Sequence, residues 1–210
     1  MAMLPAQWTS RTEAQLEEYL VLARRAGCPI DQVRNFLAGG YVAQPKQLAF
    51  SAAARLADSD GGPEKIALGG ARGPGKSHAC LAQVGLDDCQ RRPGLKWLFL
   101  RSIKKSAMES FEDLIQRVYY AIPYAFKAAG RLDFENASRI LLAGFKDEDD
   151  IDQYIGIEYD GIVVEEATLL SQNKKDKLLG SLRTSRDDWR PRMYLSTNPG
   201  GIGHQWFRND

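Results

Sequence analysis

Residues Gly69 to Ser77 read GGARGPGKS. Gly70 is followed by four residues and then by Gly75, Lys76 and Ser77, which is the spacing of a phosphate-binding loop. The flanks decide the reading. A short apolar run, KIALGG, precedes the loop, and a segment from Ser77 to Arg91 with helical character follows it. Glycines at this density let backbone N–H groups curl around phosphate oxygens at a helix N-terminus, where the helix dipole already favours an anion. In that arrangement Gly70, Gly73, Gly75 and His78 line the nucleotide, Lys76 reaches the β and γ phosphates, and Ser77 ligates magnesium. A glycine-rich turn that merely caps a helix would leave the Lys-Ser pair unexplained.

The rest of the chain has the grammar that such a loop requires. LKWLFLR reads as a strand, and Lys104 to Ala121 as a helix with Phe111, Leu114, Ile115 and Val118 on one face. RLDFENASRILLAGF reads as two strands around an asparagine turn, GIVVEE as a buried strand, and RMYLSTNPGG as another after a helix near Lys174 to Arg183. Strands alternating with helices predict an α/β fold with a mainly parallel sheet flanked by helices. The first sixty residues differ. They predict a helical N-terminal segment: one helix beginning near a Thr12 cap, a second over IDQVRNFLAGG, and a third from about Lys46 to Ala57. The expected division is therefore 1–60, leading into the base-contacting region, and 61–210, the nucleotide-binding core.

Composition narrows the partners. The chain has 210 residues, of which 44% are hydrophobic and 26% charged, enough for one sizeable core. With 28 basic and 27 acidic residues the net charge is +1, so any polyanion must be met by a local patch. Three cysteines and two histidines fit no zinc spacing, and no run has membrane-spanning length. A cytosolic protein is expected. The acidic KDEDDIDQ segment reads as a solvated helix start rather than a metal site.

The strand GIVV ends in Glu165 and Glu166. The first carboxylate suits magnesium, directly or through water, and the second can orient and deprotonate an attacking water. One strand later, Ser196, Thr197 and Asn198 are placed to sense the γ-phosphate. Upstream, Gln47 offers an amide with a donor and an acceptor for an adenine edge. These features predict an ATP site.

Together QPKQ, GGARGPGKS, LRSIKKSAMES, EYDGIVVEEATLLS and LRTSRDDWRPRMYLSTNPGGIGHQWF resemble the large subunit of bacteriophage terminases, from about Gln44 onward. The resemblance implies an additional-strand, catalytic-glutamate P-loop fold of the RecA-like type. It also implies ATP hydrolysis that drives double-stranded DNA into a procapsid. Lys76 and Ser77 then bind phosphate and magnesium, Glu165 is the metal-side acid, Glu166 the catalytic base, Gln47 the adenine contact, and Ser196 to Asn198 the coupling segment. Arg72, four residues before Lys76, becomes an arginine finger on the γ-phosphate, with Arg101, Arg183 and Arg186 as candidates for a role in a neighbour's site.

The implied partners are DNA, gripped weakly by the isolated chain, the small terminase subunit, and the portal and procapsid. A homo-oligomeric ring on the procapsid and a monomer in solution are expected, in the cytoplasm of the infected host. Two departures stand out. The family usually has aspartate where Glu165 stands, and no run resembles its nuclease domain, so cleavage is not expected. Lys104, Lys105, Arg183, Arg186, Arg190 and Arg192 are candidates for a DNA-facing lining. A RecA-like helicase or recombinase, a P-loop kinase and a nucleotide-binding regulatory module share parts of this pattern.

Overall fold

A computed structural model describes residues 13–70, 73, 75–102, 107–127, 130–198 and 200–209, with the side chains of 107–110 left aside. Helices α1 (Glu13–Ala26), α2 (Ile30–Ala38) and α3 (Pro45–Leu56) come first, as the periodicity predicts. The Thr12 cap lies outside the described residues. The sheet then begins with β1 (Lys65–Gly69), followed by α4 (Lys76–Leu81), which runs through a π-helical segment, Ala82–Asp88, into α5 (Cys89–Arg91). Next come β2 (Lys96–Ser102), α6 (Ala107–Val118), β3 (Tyr124–Lys127), β4 (Arg131–Phe134) and β5 (Arg139–Phe145). The chain closes with β6 (Gly161–Glu165), α7 (Gln172–Leu179), β7 (Arg192–Thr197) and α8 (His204–Asn209). Among the described residues no helix is long and apolar enough to cross a membrane.

The strands form one sheet in the order β1-β7-β6-β2-β5-β4-β3. β1, β7, β6, β2 and β5 run parallel, and β4 and β3 add an antiparallel edge. The predicted hairpin is thus β4–β5; β3 is an addition to the predicted strands, too short and too exposed to stand out in the sequence. β7 lies between the phosphate-loop strand β1 and the carboxylate strand β6, so the two halves of the site are separated by one strand. All five residues of β6 and all six of β7 are buried, as a strand covered on both faces must be. Gly161 opens β6 because a Cβ there would sit 2.4 Å from the Trp97 ring.

One face of the sheet is filled by Trp97, Phe99, Val163 and Tyr194 with the α4–α6 side, the other by Leu98, Ile162, Val164 and Leu195 with α7 and α8. Phe36 of α2 and Phe50 of α3 belong to the first of these clusters, so the N-terminal helices share the core of the sheet. Phe111, Ile115 and Val118 bury the predicted face of α6. The π segment has a local cause: the Tyr119 hydroxyl donates to the Leu81 carbonyl at 2.8 Å, and its ring packs so closely on Gly85 that no side chain fits there. The acidic segment forms a short 3-10 helix, Glu148–Tyr154, with a capping box between Asp147 and Asp150. α7 ends at Leu179, before the predicted Arg183, because Gly180 caps it.

Behind the phosphate-loop helix lies a buried ionic network. Arg55 bonds Asp87 at 2.7 Å, Arg91 reaches Asp87, Asp88 and Asp58, and Arg192 bonds Asp58 at 2.6 Å and the Ala54 carbonyl at 2.8 Å. The Tyr194 hydroxyl and Gln83 amide complete the shell of Asp88. Arg192 is 0% exposed, which removes it from the expected DNA lining: its charge is neutralised inside the fold and its guanidinium rests 3.8 Å from the centre of the Trp189 ring.

Candidate functional site

The carboxyl ends of the parallel strands open onto a cleft of about 370 Å³. It is lined by Gly73, Gly75, Lys76, Ser77 and His78 from the loop, Glu165 and Glu166 from β6, Ser196 to Asn198 from β7, and Arg101 from β2. Residues predicted from four separate stretches therefore meet at one point. Gly70 borders the same loop, where its carbonyl holds the lysine. Arg72 lies outside the described residues, as do Lys104 and Lys105.

The loop is held from behind by the sequence QPKQ. Pro45 starts α3, Gln44 caps it, and the Gln47 Oε1 accepts from the Gln44 N–H at 2.8 Å and from the Tyr41 hydroxyl at 2.9 Å. The Gln47 Nε2 donates to the Gly75 carbonyl at 2.9 Å. Gly75 caps α4 with φ +70°, and a Cβ there would stand 2.6 Å from that Nε2. Both the left-handed backbone and the close approach require glycine.

Lys76 Nζ donates to the Gly70 carbonyl and to Asn198 Oδ1, each at 3.0 Å. The lysine thus spans the loop and the end of β7. Burial lowers its pKa, against the pull of Glu165 and Glu166. Glu165 is 3% exposed. Burial raises its carboxyl above the ordinary glutamate range, although the Ser77 hydroxyl, Arg101 and Lys76 favour the charged form. Its Oε2 lies 3.5 Å from Arg101 Nε, while Glu165 Oε1 and Arg101 Nη1 are both buried without a hydrogen-bond partner.

Glu166 adopts φ +53°, ψ +40°, left-handed geometry that a side chain rarely accepts. The turn that follows is anchored by Thr168, whose hydroxyl meets the Thr197 hydroxyl at 2.6 Å and whose carbonyl accepts from Gly203 N–H at 2.8 Å. Sequence reasoning does not find Thr168; its task exists only once β6 and β7 are neighbours. The remaining arginines lie elsewhere. Arg101 sits in its own chain's cleft, its guanidinium 5.0 Å from the centre of the Phe111 ring. Arg183 and Arg186 stand at the opposite, amino ends of the central strands, where Arg183 N–H reaches the Tyr159 carbonyl and Arg186 bonds Asp188 and the Pro93 carbonyl. His78 is half-buried, and burial and Arg117 lower its pKa.

A loop of this geometry between β1 and a helix, with two acids one strand removed, defines a P-loop NTPase with a strand inserted between its two motifs. Residues 64–210 match the phage terminase large subunit family, and the chain belongs to that family.

Solved structures agree on the fold. The large terminase from a thermophilic bacteriophage superposes with a TM-score of 0.59 at 19% identity, over 79% of this chain and 41% of its own. The large terminase ATPase domain of Thermus Phage P74-26 gives 0.52 at 18%, over 80% and 69%, and the HK97 bacteriophage large terminase 0.54 at 13%, over 80% and 36%. The first of these proteins has also been solved in complex with ADP and with ATP-gamma-S. The chain therefore spans about two fifths of the length of that terminase. No curated protein matches its sequence.

Proposed function

We propose that this chain hydrolyses ATP to drive double-stranded viral DNA into a procapsid, as the ATPase part of a terminase large subunit. The observation that carries the proposal is the convergence of Lys76, Glu165, Glu166 and Asn198 in one cleft. The nucleotide complexes of the thermophilic phage terminase support ATP as the ligand.

Lys76 exchanges its bond to Asn198 for the β and γ phosphates, so binding and loss of the γ-phosphate are reported to β7 through Asn198. Ser196 and Thr197, buried in the same strand end, and Thr168 pass the change to the turn that carries Glu166. Glu166 accepts the proton of the attacking water. Arg72, from the loop between Gly70 and Gly73, stabilises the charge that grows on the transferred phosphoryl group. An adenine contact by Gln47 requires its amide to exchange the Gly75 or Tyr41 bond for one to the base.

Magnesium fits the residues present. A buried carboxylate oxygen of Glu165 without a protein partner, beside the Ser77 hydroxyl, is a hard-oxygen donor set. Ser77 and Glu165 would hold the ion, and when bound it neutralises phosphate charge. The longer side chain of glutamate, where aspartate is usual, suits coordination through a water. Double-stranded DNA, the small terminase subunit, and the portal and procapsid complete the proposed setting, in the host cytoplasm. A ring of copies on the procapsid would bring Arg183 or Arg186 of one chain towards the cleft of the next.

The test is magnesium-dependent phosphate release from ATP at rising protein concentration. Glu166→Gln is expected to reduce release by about a hundredfold or more while ATP still binds, and Arg72→Ala by about a thousandfold. Specific activity that climbs steeply with concentration assigns the finger to a neighbour instead. ATP binding with no release under any condition overturns hydrolysis by this chain.

A further inference from the structure

We propose that the groove along α6 holds the ribose and base of the nucleotide, with the Tyr120 ring as the face on which the base stacks. The inference rests on the cleft being an ATP site and extends it to a base-recognising residue outside every motif named above.

The cleft is the first of three hollows in series. It shares Arg101 and Leu114 with a hollow of about 260 Å³, which shares Asp113 and Arg117 with an open one of about 600 Å³. Gly40 and Tyr120 bound the last. From Leu114 to Val118 the helix advances about 6 Å at about 1.5 Å per residue, and Tyr120 stands two residues beyond. The offset is that of a nucleoside leaving the phosphate site.

The chemistry of the walls suits that occupant. Tyr120 is a large aromatic side chain that remains 50% exposed, and aromatic faces accept any base by stacking. Gly40, in the same lining, adds no side chain to the hollow. The next residue, Tyr41, donates its hydroxyl to Gln47, so this wall also carries the amide expected to meet adenine. Between slot and cleft stands Arg117, which has no ion pair among the described residues and whose charge is already felt at His78. A cation there faces the phosphate nearest the ribose.

Calorimetric titration of the chain with ATP and with inorganic tripolyphosphate, both with magnesium, tests the assignment on wild type, Tyr120→Ala and Tyr120→Phe. Tyr120→Ala is expected to weaken ATP about tenfold, to leave tripolyphosphate unchanged, and to be rescued by phenylalanine. Undiminished ATP affinity in Tyr120→Ala overturns the stacking role. An equal loss for both ligands overturns it too, because tripolyphosphate does not reach the slot. Wild type binding neither ligand refutes the nucleotide reading itself, a separate failure.

Discussion

Two buried clusters of opposite charges stand on either side of the phosphate-loop helix, and they are finished differently. Behind the helix, Arg55, Arg91 and Arg192 face Asp58, Asp87 and Asp88 with close hydrogen bonds on every residue. Among the described residues the one buried charged-group atom there without a hydrogen bond, Arg91 Nε, still lies 3.6 Å from Asp87. In the cleft, Glu165 Oε1 and Arg101 Nη1 belong to an ion pair yet bond to nothing. A buried charge left unsatisfied is costly. The finished cluster holds α3, the π segment and β7 together, and the unfinished one lines the cleft.

Breaking the finished cluster should produce the larger effect on folding. Arg192→Ala leaves Asp58 and Asp88 short of a cation and the Ala54 carbonyl without its donor, an expected loss of about 3–5 kcal/mol. Burial raises the Asp88 carboxyl despite Arg91 and Arg192. Its contribution is therefore complete below the ordinary aspartate range and is lost as pH rises through the folded value. Removing Arg192 moves that value higher still. Asp58, held low against burial by Arg192 and Arg91, loses part of the stability that it supplies above the same range. The Asp58 loss is already nearly complete at pH 5, and the Asp88 effect widens the deficit of the variant as pH rises further. Urea unfolding at pH 5 and pH 8 measures it, and a deficit that shrinks with rising pH contradicts this account.

Removing the charge in the unfinished cluster should act in the other direction. Glu165→Gln deletes a buried carboxylate whose pKa is raised by burial, and the expected result is a fold more stable by about 1 kcal/mol, as at other sites that trade stability for function. Phosphate release should be lost with it. Thermal unfolding without nucleotide measures the first effect. A variant less stable than wild type would place Glu165 with the structural charges.

How much of this is legible in the sequence follows from the range of the interactions. The loop, the apolar strand before Glu165 and the face of α6 are local patterns, and glycine spacing or a 3.6-residue period reports them directly. Gln47 stands out for its amide, but its bond to Gly75 spans 28 residues, and Lys76 finds Asn198 across 122. Nothing local encodes either. Arg192 misleads for the same reason: a lone arginine at the head of a strand looks solvated until Asp58 and Asp88, from two other elements, are folded around it. Tyr119 and Gly85 create the π segment through a contact that no helical period contains.

The smallest expected effect isolates the backbone of the unfinished cluster from its charge. Glu166 is held at φ +53° between a buried strand and the Thr168-anchored turn. Left-handed geometry costs a side chain about 1–2 kcal/mol, while glycine gives back part of that difference through the entropy of the unfolded chain. Glu166→Ala and Glu166→Gly both remove the carboxylate, so they differ in the strain and in the entropy of the unfolded chain. The glycine variant should be the more stable by about 1 kcal/mol, read as a higher midpoint in urea at equal slope. If alanine is equally stable, the turn has relaxed once the carboxylate is gone, and the strain belongs to the glutamate rather than to the meeting of β6 and β7.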